Sequence, residues 1–486
     1  MSTRLPLPVG CAPDRHQVVR DLLAIFDTSY NSGPARIYLV GGYLRDCLRP
    51  KLKARKELDF DFAVAGAEAI PLARLVAEKL SGHFVLLDNK NDTARVVMAD
   101  GTCLDFAGCV GGSIDSDIRR RDFTMNALVW DPYHRDKFLD LVGGAADLMD
   151  GVVNAIDGKN LVEDPLRLLR AYRFAAECNC TIAPETLALI REHAAGIEKV
   201  PYERTNYEFF LMMESDRAGE LLSSMADTGL LEAIFSDLKA TRKVTANQFH
   251  HLGLFEHSLE CVRQTELYIR TCPDWVKESA AQTIAHGVSR LSATKTACLL
   301  HDIGKPGTWE VTEEGRHTFL GHDKLGATMT TELAKEHRWS KQLGRFVAGL
   351  VKWHLRPGHL FHQGQPTEKA INKFYRKIGD DVPELMMLAF GDLGATRGAD
   401  FTEAMRENLA ENFRRLLDGY PPFRERENRM PRLLSGLEVM ELLGLEPGPA
   451  IGQILEALEE AQSLQEVTDV PEAQAFVRAF WHRKNQ

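Results

Sequence analysis

No stretch of this 486-residue chain is apolar for long enough to span a bilayer. Residues 1–10 also lack the apolar centre of a signal peptide, so a cytoplasmic protein with no membrane partner is expected. Paired cysteines are missing too. The nine cysteines are scattered, with no Cys-x-x-Cys and only Cys178-Asn-Cys180 close together, so neither a zinc site nor a disulfide framework is indicated. No repeat of fixed period is present. Positive charge is in deficit: 59 Lys and Arg stand against 69 Asp and Glu, a net charge of -10, which argues against non-specific binding of nucleic acid over the whole surface.

The cations that are present are clustered. Arg45, Arg49, Lys51, Lys53, Arg55 and Lys56 fall within twelve residues, Arg119-Arg-Arg121 follows, and Arg167, Arg170 and Arg173 recur at helical spacing. An acidic chain built this way can carry a basic cleft while repelling stray polyanions elsewhere. With 44% hydrophobic and 26% charged residues, the composition is that of a globular protein, and the length suggests two to four domains. Up to about residue 140 the pattern alternates strand and helix. Strands are expected at 37–40, 58–64, 84–87, 94–98 and 102–106 and helices at 15–26 and 70–80, giving a small α/β unit with a mixed sheet. Beyond it the pattern is almost wholly helical. The expected segments are a head at 1–150, a helical neck at 151–240, a histidine-rich helical domain at 241–418 and a helical tail at 419–486. The Pro- and charge-rich tract that opens the tail reads as a linker.

The most informative stretch is Tyr38-Leu-Val-Gly-Gly-Tyr-Leu-Arg-Asp46, followed by Glu57-Leu-Asp-Phe-Asp-Phe62. Gly41-Gly42 after an apolar strand lets backbone N–H groups approach a triphosphate closely. Strand alternation then puts Asp59 and Asp61 on one face, where two carboxylates can share divalent metal ions, Mg²⁺ in particular. That order and spacing point to nucleotidyl transfer. Asp105, on a strand that could adjoin Asp59 and Asp61, is either a third carboxylate of the site or an N-cap or surface acid. Arg119-Arg-Arg-Asp-Phe-Thr-Met-Asn-Ala-Leu128 supplies guanidinium forks suited to phosphate oxygens. In Glu163-Asp-Pro-Leu-Arg-Leu-Leu-Arg-Ala-Tyr-Arg-Phe174, residues Asp164, Arg167 and Arg170 line one edge of a helix opening at Pro165; a solvated, capped helix start is the plainer alternative.

Together these motifs resemble the class II tRNA nucleotidyltransferase and bacterial poly(A) polymerase family, whose head is polymerase-β-like. The resemblance covers about residues 37–235. It implies that Gly41, Gly42 and Arg45 hold the triphosphate, with Asp46 completing that motif, and that Asp59 and Asp61 hold Mg²⁺. It further implies sugar and phosphate contacts from Arg120, Arg121, Asp122 and Asn126, with Phe123 and Ala127 completing that motif. Base reading of CTP or ATP would fall to Asp164 and Arg167 in Glu163-Asp-x-x-Arg, with Arg170 and Arg173 further along the nucleotide-binding helix. Glu203-Arg-Thr-Asn-Tyr-Glu208 is similar to a later motif that braces the site. The implied reaction is attack of a tRNA 3′-hydroxyl on the α-phosphate, with no nucleic-acid template, building a CCA end.

Two departures bear on the subtype. The basic, histidine-containing signature of poly(A) polymerases is absent from 85–96, which favours tRNA ends over polyadenylation. The segment 105–119 is short for an enzyme that adds all of CCA, so CC-only addition, with a separate A-adding enzyme as partner, stands as the alternative.

His257, His301-Asp302-Ile-Gly-Lys305, His322, His354 and Asp392 form a second constellation, since imidazole and carboxylate on successive helices can converge on a metal. It resembles the HD phosphohydrolase domain. That resemblance implies a second divalent metal on His257, His301, Asp302 and Asp392, with His322 and His354 as the extra ligands of binuclear forms. A silent, RNA-supporting domain is the other option. A phosphohydrolase of nucleotides or RNA ends, and a non-catalytic RNA-binding scaffold, are the competing functions. The tail residues 433–455 read either as core or as a surface meeting tRNA.

Overall fold

The structure is a computed structural model. It describes all residues except 1–2, 31–32, 50–57, 246–251, 314–316, 363, 399, 430–431, 465 and 485–486. The basic run Lys51, Lys53, Arg55 and Lys56, and Glu57, lie outside the described residues. Two compact units, Met1–Ser236 and Asp237–Gln486, divide the chain. The expected boundaries at 150 and 418 each fall inside a unit. Among the described residues no helix is long and apolar enough to cross a membrane, and all nine cysteines are free thiols.

The first unit opens with an eight-stranded mixed sheet. Its strands are β1 (Thr3–Pro6), β2 (Arg36–Val40), β3 (Asp59–Ala65), β4 (His83–Asp88), β5 (Thr93–Val97), β6 (Cys103–Gly108), β7 (Leu128–Trp130) and β8 (Lys137–Asp140), in the order β1-β8-β7-β2-β3-β6-β5-β4. Only β3 and β6 pair in parallel. The five expected strands are present within two residues at either end, as is the helix Ala69–Leu80, while the other helix, Gln17–Tyr30, runs four residues past its expected end at 26. Alternation explains the core: Phe60, Phe62, Leu104 and Phe106 are buried, while Asp59, Asp61 and Asp105 project to the other face. Three strands were not expected. β7 and β8 add to the β2 edge, and β1 joins them from the far N-terminus.

Beyond the sheet, Leu166–Glu177 packs against Tyr202–Met213, a buried pairing that carries the Arg170 and Arg173 side chains. A two-strand parallel pair, Val152–Val153 with Thr181–Ile182, interrupts the otherwise helical neck.

The second unit is built on five helices, Leu254–Thr271, Arg290–Leu300, His322–Glu336, Lys341–Trp353 and Val382–Ala395. Leu254–Thr271 and Val382–Ala395 approach closely because Gly391 has no side chain: a Cβ there would lie 2.1 Å from Thr265 Oγ1. Gly304 does the same at another crossing, where a Cβ would lie 2.3 Å from the His322 carbonyl oxygen. The tract expected as a linker is instead a helix, Tyr420–Arg429. Its prolines, Pro421 and Pro422, fall in the first turn, where a missing N–H costs nothing, and Tyr420 and Phe423 are buried against Tyr375. Three further helices, Gly436–Leu443, Pro449–Ser463 and Val470–Lys484, enclose their own apolar core of Val439, Ile454, Leu458 and Val477.

Candidate active site

A cleft of about 780 Å³ opens over the polar face of the sheet in the first unit. One wall is acidic. Asp61 on β3 lies directly across from Asp105 on β6, two residues along from Asp59, and all three line the cleft. Burial pushes the Asp61 carboxyl up, and the charges of Asp105 and Asp59 add to this, against the pull of Arg121 and the Gly42 N–H. Asp105 is neither an N-cap nor a solitary surface acid: Arg95 on β5 grips both its oxygens, Nε to Oδ1 at 2.7 Å and Nη2 to Oδ2 at 2.8 Å. The Gly41-Gly42 turn sits against this wall. Gly41 has φ 77°, and a Cβ there would lie 2.7 Å from Asp61 Oδ2. Only glycine meets both conditions without strain.

The opposite wall is a continuous polar chain. Arg45, 3% exposed, donates to Asp46 Oδ1 (2.7 Å) and to Asn126 Oδ1 (2.8 Å). Asn126 Nδ2 donates to Asp122 Oδ1 (3.1 Å), and Arg170 reaches Asp122 Oδ2 from Nη2 (2.7 Å) and Glu208 Oε1 from Nη1 (3.3 Å). Arg173 bonds the other Glu208 oxygen and, at 2.9 Å, Glu177. Burial favours the neutral acid at Asp122, yet the Arg170 charge with hydrogen bonds from Asn126, Arg170 and the Phe123 N–H holds it at about 2.

Of the expected nucleotide-site residues, Gly41, Gly42, Arg45, Arg121, Asp122, Asn126, Arg170 and Arg173 line this cleft with the three aspartates. Arg120, Asp164 and Arg167 lie outside it. Arg120 pairs with the buried Asp117 at 3.2 Å, which also holds Arg121 at 3.0 Å. Asp164 accepts from Arg204 Nη2 at 3.0 Å, and Arg167 Nη1 donates to the carbonyls of Arg120 (2.8 Å) and Asn160 (3.0 Å). The pair expected to read the base thus fastens two motifs together. Arg95 was missed, although alternation in β5 places it on the face of its neighbour Asp105. Tyr207, 52% exposed on the cleft rim, lies within the Glu203–Glu208 motif without having been singled out there.

In the second unit the six expected residues converge from five helices. His257, His301 and Asp302 are no more than 1% exposed, and His322 and His354 are also buried. His257 Nε2 lies 3.0 Å from Asp392 Oδ1, His301 Nε2 lies 3.1 Å from Asp302 Oδ2, and His322 Nε2 lies 3.2 Å from Asp302 Oδ1. The tautomers follow from the outer nitrogens: Nδ1 of His301, His322 and His354 donates to the carbonyl three residues earlier, at 2.7 to 2.8 Å. Each Nε2 therefore points inward. Those of His322 and His354 are 3.3 Å apart, so two neutral rings present lone pairs to each other unless a cation or proton lies between. Burial lowers His301, but Asp302 and Asp392 raise it to about 9; Asp302 is held well below the carboxylate range, burial being outweighed by His301 and Lys305. Two overlapping groups, His257–His301–Asp302 and Asp302–His322–His354, have the spacing of metal ligands. The donor set suits a divalent transition ion.

Fold and cleft together define a nucleotidyltransferase head joined to an HD-type helical domain. Family models agree: "Poly A polymerase head domain" matches residues 107–154, "Probable RNA and SrmB- binding site of polymerase A" matches 179–241, and "HD domain" matches 254–433. The chain is 32% identical to the A-adding tRNA nucleotidyltransferase of Deinococcus radiodurans, over 92% of this chain and 95% of that one. It is also 32% identical to the CC-adding tRNA nucleotidyltransferase of Thermus thermophilus, over 92% and 94%. The solved Thermotoga maritima CCA-adding enzyme, complexed with tRNA, superposes with a TM-score of 0.63 at 19% identity, over 99% of this chain and all of that one. The protein belongs to the tRNA nucleotidyltransferase family.

Proposed function

We propose that this enzyme builds the 3′-terminal CCA of tRNA from CTP and ATP. One observation carries the reading: Asp59 and Asp61 face a guanidinium-bearing wall across a single cleft, with a glycine turn whose backbone lies close against Asp61. Asp59 and Asp61 are the residues that would hold Mg²⁺, and the raised Asp61 carboxyl fits a group that a cation relieves. When bound, such ions stabilise charge on the attacking and leaving oxygens. The chain's own residues do the rest. Gly41 and Gly42 let the backbone approach the phosphates, Arg121, Arg170 and Arg173 supply positive charge, and the Arg45–Asn126–Asp122 chain keeps that wall in place. Arg120, Asp164 and Arg167 enter the reading as a hinge group, with base recognition requiring their present partners to be exchanged. The 151–240 neck supplies the Arg170, Arg173 and Glu208 end of this wall, and the three-helix tail is the part proposed to meet tRNA. The reaction belongs in the cytoplasm, where tRNA and nucleoside triphosphates meet.

A second divalent ion is proposed for the His257, His301, Asp302 and Asp392 cluster with His322 and His354. That cluster makes phosphoester hydrolysis an additional activity.

Addition of only part of CCA is a second reading. The segment before the Arg-Arg-Asp motif is short and folded: Asp117 accepts from the Val110 N–H and holds Arg120 and Arg121. Relatives named for CC and for A addition are both close in sequence. Incorporation of labelled CTP and ATP into tRNA transcripts lacking CCA, CA or A, resolved on a sequencing gel, tests both. Growth to full CCA is the expected result. Arrest after two cytidines, or extension only of the transcript lacking A, assigns one part and calls for a partner enzyme. No extension at all would overturn the proposal.

A further inference from the structure

The acidic wall is met from within the sheet by a cation that none of the motifs contains. Arg95 lies directly across β5–β6 from Asp105, and Asp105 lies directly across β6–β3 from Asp61. Paired positions on neighbouring strands share a sheet face, so Arg95, Asp105 and Asp61 form a row. The guanidinium meets both oxygens of Asp105, which fixes the plane of the carboxylate as well as opposing its charge. At 40% and 26% side-chain exposure the pair adds little to stability. Its effect falls on the cleft that both residues line.

We propose that Arg95 is a positioning residue of the nucleotidyl-transfer site: by clamping Asp105 it withdraws one negative charge from the acidic wall and sets how tightly Asp59 and Asp61 hold a divalent cation. The inference rests on the functional reading above. With the clamp in place the cation meets two carboxylates. Without it, Asp105 becomes a third acceptor beside Asp61 and a positive charge is removed.

The test is Mn²⁺ binding to the full-length chain, read by electron paramagnetic resonance without nucleotide or tRNA, the head site being identified as the Mn²⁺ lost in Asp61→Asn. Arg95→Ala is expected to bind that Mn²⁺ about three- to tenfold more tightly, since a unit charge a few ångströms away in a half-wet cleft is worth that much. Arg95→Lys keeps the charge without the fork and is expected to stay within about twofold of the parent, as is Arg95→Ala combined with Asp105→Asn. The Mg²⁺ concentration for half-maximal incorporation is expected to move in the same order, which a purely structural role would not produce. Unchanged Mn²⁺ affinity in Arg95→Ala, or Arg95→Lys behaving like Arg95→Ala, overturns the proposal. Should Arg95→Ala fail to fold, Asp105→Asn decides alone: weaker Mn²⁺ binding, with Arg95 facing the cation unopposed, supports it and unchanged binding overturns it. A parent chain that incorporates no nucleotide removes the functional reading instead, and the Mn²⁺ comparison stands apart from that result.

Discussion

In the first unit Asp59, Asp61 and Asp105 stand side by side on one wall of an open cleft, with one clamped by Arg95 and another pushed toward its neutral form. In the second unit Asp302 sits at 1% exposure among inward-facing imidazoles, and its charge is held rather than relieved. The first arrangement stores repulsion that an arriving cation with its nucleotide would cancel. The second has nearly all its ligand atoms already turned inward, with their outer nitrogens tied to backbone. An exchangeable metal suits the one and a resident metal suits the other, and ligand type and solvent access both separate them.

The comparison breaks most sharply on activity. Asp61→Ala is expected to lower nucleotide incorporation by about a thousandfold or more, whereas Asp302→Ala should leave it within about threefold; an equal loss in both would mean the two units share one activity. Next in size is the brace of the cleft. Glu208→Ala leaves Arg170 and Arg173 without their shared buried partner and is expected to cost about 3 kcal/mol in chemical unfolding of the first unit. A similar loss from Glu256→Ala, which removes an exposed pair of the second unit, would argue against that explanation.

Metal retention sharpens the contrast further. After exhaustive dialysis against metal-free buffer, elemental analysis should find divalent transition metal in the parent chain and in Asp61→Ala, and about tenfold less in His301→Ala. The last contrast is in acid. His337 is buried and its pKa is lowered to about 4, burial outweighing Glu336, so the unfolded chain takes up a proton near 6.5 that the folded chain refuses. Stability from this group is present above 6.5 and lost as pH falls toward 4. Asp122, held at about 2, contributes stability present above about 4 and lost as pH falls toward 2, worth about 2 kcal/mol. Acid should therefore weaken the second unit before the first, as followed by hydrogen exchange of each.

Most of the acidic wall was legible because a two-residue period carries its own geometry. Asp59 and Asp61 had to share a face, and histidines and aspartates spread over successive helices could converge, as His257, His301, Asp302, His322 and His354 do. What escaped depends on register. Leu128–Trp130 is too short to show alternation, and Thr3–Pro6 becomes a strand only because Lys137–Asp140 lies beside it. The Arg95 clamp needs the pairing of β5 with β6, and the present partners of Asp164 and Arg167 come from Arg204 and from two carbonyls that no motif spacing identifies. Pro421 and Pro422 were read as breaking a helix they in fact begin, since the burial of Tyr420 and Phe423 that decides the matter is tertiary.

The polar chain from Asp46 through Arg45, Asn126, Asp122, Arg170 and Glu208 to Arg173 and Glu177 has a meaning for mutational tolerance. Each link satisfies a buried neighbour, so replacing one strands the next, while replacing two adjacent links together removes donor and acceptor at once. In a saturation scan these positions would behave as a single locus: individually intolerant, and rescued mainly by their immediate neighbours.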